Sequence, residues 1–322
     1  MHTLESTRVK KFAYCAPTSL LTSSRIPRII ETIGRTNSDI VCLQELDTVT
    51  LPLIEKGIAN RLSTAVYSIN ESLPARDGCG VFYNPLVFQV TDTRSVKLAD
   101  LLDKHLSSLG NHTRNTNSAI SLSRAMYREV REKQNMAIFA QLKHIDSGRE
   151  LTIVSSHLYW DPAYPDIKLL QAYMLAQESS EISPYQPIVV GADLNSIPQS
   201  SGVYELLMGS GKVPRTHPDH PVTIRSSKKG NLEGVSPDAV PDLINPKPFN
   251  SAMKLFIGNE PLFTNYTTTF KGCLDYVMMR GDLRVVGGEQ LPDESVLAKE
   301  VALPNSIYPS DHLPITVDIE FI

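Results

Sequence analysis

The run Pro187-Ile188-Val189-Val190-Gly191-Ala192-Asp193-Leu194-Asn195 sets apolar, β-branched residues directly ahead of a carboxylate and an amide. A short continuous apolar run of this kind fits a buried strand better than a helix. Layered α/β enzymes place metals and general bases at strand ends, so Asp193 and Asn195 stand where chemistry is done. Far along the chain, Pro309-Ser310-Asp311-His312 offers a second such pairing, an Asp beside a His. The chain is therefore expected to be an enzyme.

Helical and strand patterns mix on both sides of that run. Ile26, Ile29, Ile30 and Ile33 recur at helical spacing over 26–36. Residues 39–43 read as a buried strand ending at Gln44-Glu45, and 51–62 as a helix. Strand-like runs follow at 64–69, 79–84 and 86–92, then a helix over 97–109. Residues 110–123, rich in Asn, Ser and Thr, read as a surface loop. Strands at 136–144 and 150–157 flank Asp146-Ser147-Gly148, a hairpin signal. The spacing over 166–180 predicts an amphipathic helix with Ile167, Leu170, Met174 and Leu175 inward. Strand 187–192 precedes a helix over 201–208. Residues 211–249 hold seven Pro and little periodicity, which marks a long loop or insertion. Within it, His217-Pro218-Asp219-His220 reads as solvent loop rather than as a ligand cluster. Strands return at 273–279, 282–286 and 313–320. No internal repeat is visible, so one continuous α/β or α+β core is expected.

At 322 residues, 41% hydrophobic and 20% charged, the chain can bury a large core. A formal net charge of −4 argues against non-specific coating of nucleic acid. Any polyanionic substrate must be drawn in locally, by a metal ion or a few Lys and Arg. The four Cys, at 15, 42, 79 and 273, form no CxxC pair, which points to a reducing compartment without a disulfide frame or zinc knuckle. Cys42 and Cys79 read as core thiols, and the single Trp, Trp160, as core or half-core. No apolar stretch approaches ~18 residues, so no membrane span is expected. Met1 to Glu5 lack a signal-peptide core, and Arg8, Lys10 and Lys11 give a weak transit-peptide pattern. Cytoplasm or nucleus is expected ahead of the mitochondrion.

Several side chains carry chemistry, each beside a plainer alternative. Glu45 closes the run Ile40-Val41-Cys42-Leu43-Gln44 and offers hard oxygen ligands to Mg²⁺, or is a strand-end Glu in solvent. His157 ends a second apolar run and can donate to a phosphoryl oxygen, or is a bonded structural His. Asp193 and Asn195 flank Leu194 and point to one side of an extended backbone, an acceptor and an amide suited to hold a water nucleophile. The alternative is an Asx turn leading into Pro198. Asp275 lies inside Gly272-Cys273-Leu274-Asp275-Tyr276-Val277, where a carboxylate must be paired or metal-bound. Asp311-His312 is an acid–imidazole pair or a loop turn before the final strand. No serine nucleophile elbow, P-loop or GxGxxG competes with these.

Taken in order, Gln-Glu, Ser-His-Leu, Gly-Ala-Asp-Leu-Asn, Leu-Asp-Tyr and Ser-Asp-His-Leu-Pro resemble the endonuclease/exonuclease/phosphatase superfamily, whose fold is deoxyribonuclease I-like. The likeness narrows to its deadenylase branch. Ser156-His157-Leu158-Tyr159-Trp160-Asp161-Pro162 and Asp166-Ile167-Lys168-Leu169-Leu170-Gln171 resemble the catalytic exonuclease of the Ccr–Not complex. Phe263-Thr264-Asn265-Tyr266 with Phe270-Lys271-Gly272-Cys273-Leu274-Asp275-Tyr276 resembles that enzyme and the 2′,5′-phosphodiesterase. Tyr14-Cys15-Ala16-Pro17 and Asp77-Gly78-Cys79-Gly80 fit the same branch. The resemblance covers roughly residues 14–322, least well over 95–130 and 211–249.

The resemblance implies a single domain folded as a four-layer α/β/β/α sandwich with two mixed sheets face to face. It implies that Glu45 binds Mg²⁺ (Mn²⁺ substituting), that Asp193 and Asn195 act on water and phosphate, and that His157 stabilises phosphoryl oxygens. It makes His312, backed by Asp311, the second acid/base group and Asp275 part of the polar floor. Asn265, Phe270 and Pro162 would hold a 3′-terminal adenine, with Phe270 and Pro162 on its faces, and Asn135 would lie near the site. RNA bases are read unstacked against such planes. The implied activity is a 3′→5′ exoribonuclease on poly(A), with RNA ending in 3′ adenosines as partner and adenosine monophosphate as product. A 2′,5′-oligoadenylate phosphodiesterase or nucleotide phosphatase is the alternative, and an inactive scaffold or RNA-binding homologue the second. Family members open with a strand carrying a Tyr-Asn pair that supports the metal-binding Glu. Here 13 residues precede Tyr14 and none is Asn, so the first strand is expected to be missing. The leucine-rich repeats that dock the Ccr-type enzyme are absent, so membership of that complex is not implied.

Overall fold

Strand-forming runs of Val, Ile and Phe build two facing sheets in the computed structural model, which describes residues 11–69, 78–102, 104, 130, 132–223 and 242–322. Strands β1 (Ile40–Leu46), β2 (Ser63–Ile69) and β3 (Gly78–Tyr83) form an antiparallel sheet in the order β1–β3–β2. The chain continues through β4 (Phe88–Lys97), β5 (Met136–His144), β6 (Glu150–His157) and β7 (Ile188–Asp193). Short pairs follow: β8 (Lys212–Val213) with β9 (Leu243–Ile244), and, after β10 (Asn250–Ser251), β11 (Asn265–Tyr266) with β12 (Lys271–Gly272). Strand β13 (Asp275–Arg280) precedes the antiparallel pair β14 (Leu283–Gly288) and β15 (Val317–Phe321). The six-stranded sheet has the order β10–β13–β7–β6–β5–β4 and is mixed: β6 and β7 run parallel, the other neighbours antiparallel.

Period-2 alternation assigns the faces of that sheet. Ile153, Val189 and Val277 face the layer shared with Val81, Cys79 and Cys42 of the smaller sheet. Val154, Val190 and Met278 face helices α3 (Pro165–Ile182) and α4 (Gly202–Met208). On the far side, α1 (Thr22–Thr36) and α2 (Thr50–Ile58) cover β1 and β3 through Ile26, Ile33, Ile54 and Phe82. Helix, sheet, sheet, helix is the four-layer order the motifs imply. No helix among the described residues is long and apolar enough to cross a membrane.

Register, rather than composition, assembles the site. In the parallel β6–β7 ladder His157 lies beside Asp193, and in the antiparallel β7–β13 ladder Asp193 lies beside Asp275. Three chemistry-bearing residues thus sit at one level of three adjacent strands. The two sheets approach each other closely just below. A Cβ on Gly191 would lie 2.8 Å from Cys42 Cβ, so only glycine fits there. Gly191→Ala is expected to cost about 1–3 kcal/mol of stability, the usual range for overpacking. Urea unfolding followed by fluorescence checks this, and an unchanged midpoint would contradict the packing described.

Two expectations need correction. Helix α3 is not one-sidedly apolar: its residues from Asp166 to Ala176 are all buried. It packs against α4 and shares one core cluster with the sheet and residues of 98–102, so more than one of its faces is covered. Nor is 211–249 simply loop. Val213, Val222, Leu243 and Phe249 join the core, His220 is fully buried, and Asp219 Oδ2 accepts from Gly202 N at 2.8 Å at the start of α4. Residues 224–241, the expected loop at 110–123 and most of the expected helix beyond residue 102 fall outside the described residues.

Candidate active site

Asp193 ends β7, buried, with its Oδ1 accepting from the Asn195 backbone N–H at 2.8 Å. Its Oδ2 lies 3.5 Å from His157 Nε2 and 3.9 Å from His312 Nδ1. Asn195 adopts a left-handed backbone, φ +47°, which Asn tolerates better than most residues. That turn aims its amide back at β6: Asn195 Nδ2 lies 2.8 Å from His157 Nε2 and donates to Leu158 O at 3.0 Å. Asp193, Asn195 and His157 therefore form one hydrogen-bonded unit built on an Asx turn.

His312 comes from the loop before β15. Its Nδ1 is 2.7 Å from Asp275 Oδ2, which also accepts from Thr264 Oγ1 at 2.6 Å. The expected acid–imidazole pair is thus His312 with Asp275, not with Asp311. Asp311 points instead at Lys11, Nζ to Oδ2 3.4 Å, and its backbone carbonyl accepts from Asn265 Nδ2 at 3.2 Å. Burial works against the His312 imidazolium, yet the carboxylates of Asp275, Asp193 and Asp311 outweigh it and hold its pKa well above the usual histidine range. Burial, then the Asp275 carboxylate, pushes the Asp193 carboxyl up to about 6, against the two histidines. A proton donor and a base poised near neutral pH therefore stand side by side.

The raised His312 value has a stability consequence. Its charged form stabilises the fold fully below the unfolded value of about 6.5, and that contribution is lost as pH rises through the higher folded value. In EDTA, the melting temperature is expected to fall from neutral into mildly alkaline pH, and His312→Gln to flatten that fall. A variant profile that still parallels the parent would contradict the assignment.

Asp193, Asp275 and His312 bring ligand atoms within 4.8 Å of one another, the one such trio among the described residues. An imidazole Nδ1 that donates to Asp275 has no lone pair for a cation, so the trio suits acid–base work better than a metal cage. Glu45 suits the metal role. It is exposed at a bulge between Leu43 and Leu46 of β1 and holds φ +57°, a conformation unfavourable for Glu. Its neighbour Gln44 donates to Gly191 O and Ser155 Oγ, each at 3.1 Å, which ties this end of β1 to the strands bearing Asp193 and His157. An exposed carboxylate fits a hard cation that keeps several waters.

The residues implied for substrate sort differently. Phe270 is half exposed, and its ring lies over Gly272, where a Cβ would meet it at 2.8 Å. Pro162 is exposed, whereas Asn265 is buried and forms a β-bridge with His312. Asn135 is engaged within the protein, Nδ2 donating to His157 O and Oδ1 accepting from Gln171 Nε2, both at 2.9 Å. Trp160 is neither core nor half-core: it is 66% exposed, three residues past His157. The motif reading missed Thr264 and Gln171. A carboxylate inside a strand needs donors, and Thr264 supplies one to Asp275; Gln171, a polar residue on the apolar helix pattern, accepts from Tyr159 N and donates to Asn135 Oδ1.

Residues 20–312 match the model of the Endonuclease/Exonuclease/phosphatase family, and the chain belongs to that family. It is 29% identical over 334 residues to the CCR4-Not complex 3'-5'-exoribonuclease subunit Ccr4 of Candida glabrata, covering 97% of this chain and 35% of that protein. It is 26% identical over 335 residues to 2',5'-phosphodiesterase 12 of Mus musculus, covering 98% of this chain and 49% of that protein. The chain thus spans between a third and a half of these relatives. The crystal structure of ANGEL2, a 2',3'-cyclic phosphatase, in complex with adenosine-2',3'-vanadate superposes with a TM-score of 0.76 at 21% identity, over 99% of this chain and 92% of that one. The human Nocturnin catalytic domain with bound sulfate gives 0.59 at 21% identity, over 92% and 86%. These likenesses establish the fold, and the family is one of phosphoester hydrolases.

Proposed function

We propose that this chain is a Mg²⁺-dependent 3′→5′ exoribonuclease that removes adenosines from poly(A) and releases adenosine 5′-monophosphate. The observation that carries the reading is the unit Asp193–Asn195–His157 joined to His312–Asp275 within one cluster. Asp193, with a pKa near neutrality, takes the proton of the attacking water, while Asn195 and His157 hold water and phosphate. His312, already protonated and oriented by Asp275, donates from its other nitrogen to a phosphoryl or leaving oxygen. Asp311 fixes the loop of His312 through its carbonyl bond to Asn265. A Mg²⁺ or Mn²⁺ held by Glu45 would neutralise phosphoryl charge and ease deprotonation of water. Phe270 and Pro162, both exposed, are the planes for a terminal adenine.

The relatives favour one second reading, cleavage of 2′,5′-linked oligoadenylate by the same site, because 2',5'-phosphodiesterase 12 matches 98% of the chain. Digestion of 3′,5′- and 2′,5′-linked adenosine trimers, and of poly(A) against poly(U), with and without Mg²⁺, tests both. Faster loss of the 3′,5′ trimer and of poly(A) supports the first reading. Faster loss of the 2′,5′ trimer replaces it with the second, and no loss of either overturns both.

A further inference from the structure

Lys168 is 6% exposed on helix α3, and no carboxylate lies within ion-pair distance of it among the described residues. A buried ammonium without an ionic partner costs a fold stability and is rarely kept for packing alone. Its one bond is informative: Nζ donates to the backbone carbonyl of Asn195 at 2.8 Å. Asn195 is the residue whose left-handed turn aims an amide at His157 and whose N–H holds Asp193. On the other side of that turn, Tyr276 OH donates to Ser196 O at 2.8 Å. The turn is therefore clamped at both consecutive carbonyls, once by a neutral hydroxyl and once by a full charge. Burial pulls the Lys168 ammonium below its usual range, while Asp219, Asp161 and Asp193 hold it up at longer distance.

We propose that Lys168 is a positioning residue for phosphodiester hydrolysis: it fixes the Asn195 turn and sets one positive charge behind the turn that follows Asp193, so that a phosphate anion meets less repulsion. The inference rests on the phosphodiesterase reading but not on the poly(A) assignment. Two consequences separate. Fixing the turn keeps the Asn195 amide in register with the reacting phosphate and belongs to kcat; the charge attracts the anion and belongs to KM.

Lys168→Met removes bond and charge, and Lys168→Gln keeps a donor without the charge. Each is compared with the parent for melting temperature and for kcat and KM on bis(4-nitrophenyl) phosphate with Mn²⁺, and on oligo(A). Lys168→Met is expected to melt at or above the parent temperature, since a similar apolar volume replaces a buried charge. Its kcat is expected to fall by about 10²-fold, the scale of a small misplacement of a reacting group, with KM raised. Lys168→Gln is expected to recover much of kcat while KM stays raised. A merely structural lysine predicts the reverse, a lower melting temperature with activity lost only in step. Parent-like kcat and KM in Lys168→Met, or loss that tracks instability, overturns the role. A parent that cleaves bis(4-nitrophenyl) phosphate but not oligo(A) overturns the poly(A) reading and leaves the Lys168 comparison standing; a parent inert to both overturns both.

Discussion

Asp193→Asn is expected to lower kcat on oligo(A) by about 10³-fold while raising the melting temperature at neutral pH. The rate loss follows from removing the proposed base, whose kind of contribution is about 10²–10⁴-fold. The stability gain follows from sign. Burial and Asp275 raise the Asp193 pKa to about 6 in the folded protein, above the usual carboxylate value of about 3.9 in the unfolded chain. The folded state therefore binds the proton more tightly, and ionising Asp193 destabilises the fold as pH rises from the lower value through the higher one. Asn at this position carries no such charge, and its Oδ1 still accepts from the Asn195 N–H that Asp193 now satisfies. The gain should vanish in acid, where Asp193 is protonated in both states. Thermal melts at acidic and neutral pH beside single-turnover rates give both readings. A variant less stable than the parent at neutral pH, or one with parent-like kcat, would remove Asp193 from the role of base. With Lys168, this describes a site that holds like charges and an unpaired ammonium in a buried place, which lowers stability where activity requires it.

How much of this was readable in the chain depended on the range of the interaction concerned. The hairpin of β5 and β6 was legible to the residue, because two alternating apolar runs and Asp146-Ser147-Gly148 encode it locally. The ends of β1, β7 and α4 were legible within a residue or two for the same reason. The pairing of His312 with Asp275 was not. Asp311 adjoins His312 in sequence, but neighbouring residues on an extended segment point to opposite sides, so adjacency in the chain argued for the wrong carboxylate. The right one lies 37 positions away and arrives through the β7–β13 register, which only the assembled sheet defines. Trp160 erred in the other direction. A single Trp in an apolar motif suggests burial, yet α3 and the sheet fill the core beneath it and leave the indole exposed. Lys168 reads as an ordinary helix residue, because its cost becomes visible only once the assembled core buries it.

Glu45→Gly separates the proposed metal ligand from the scaffold more cleanly than alanine would. Glu45 holds φ +57° at the β1 bulge, where an L side chain costs about 1–2 kcal/mol relative to ordinary backbone. Glycine removes that strain but adds roughly 0.5–1 kcal/mol of unfolded-chain entropy. The two nearly cancel, so the variant is expected to melt close to the parent. The side chain is exposed and supports no packing that its loss would undo. Hydrolysis, by contrast, is expected to fall by about 10²-fold or more, because charge neutralisation by a bound metal is worth several kcal/mol in the transition state. A weakened metal site also predicts that added Mn²⁺ restores part of the rate in Glu45→Gly but none in Asp193→Asn, whose lost base no metal replaces. Strained backbone at an exposed residue is the kind of feature that collects at functional sites, and its neighbour Gln44 ties this end of β1 to the strands of Asp193 and His157. Equal Mn²⁺ rescue of both variants, or a parent-like rate in Glu45→Gly, would leave the bulge without a catalytic purpose and move the metal elsewhere in the cluster.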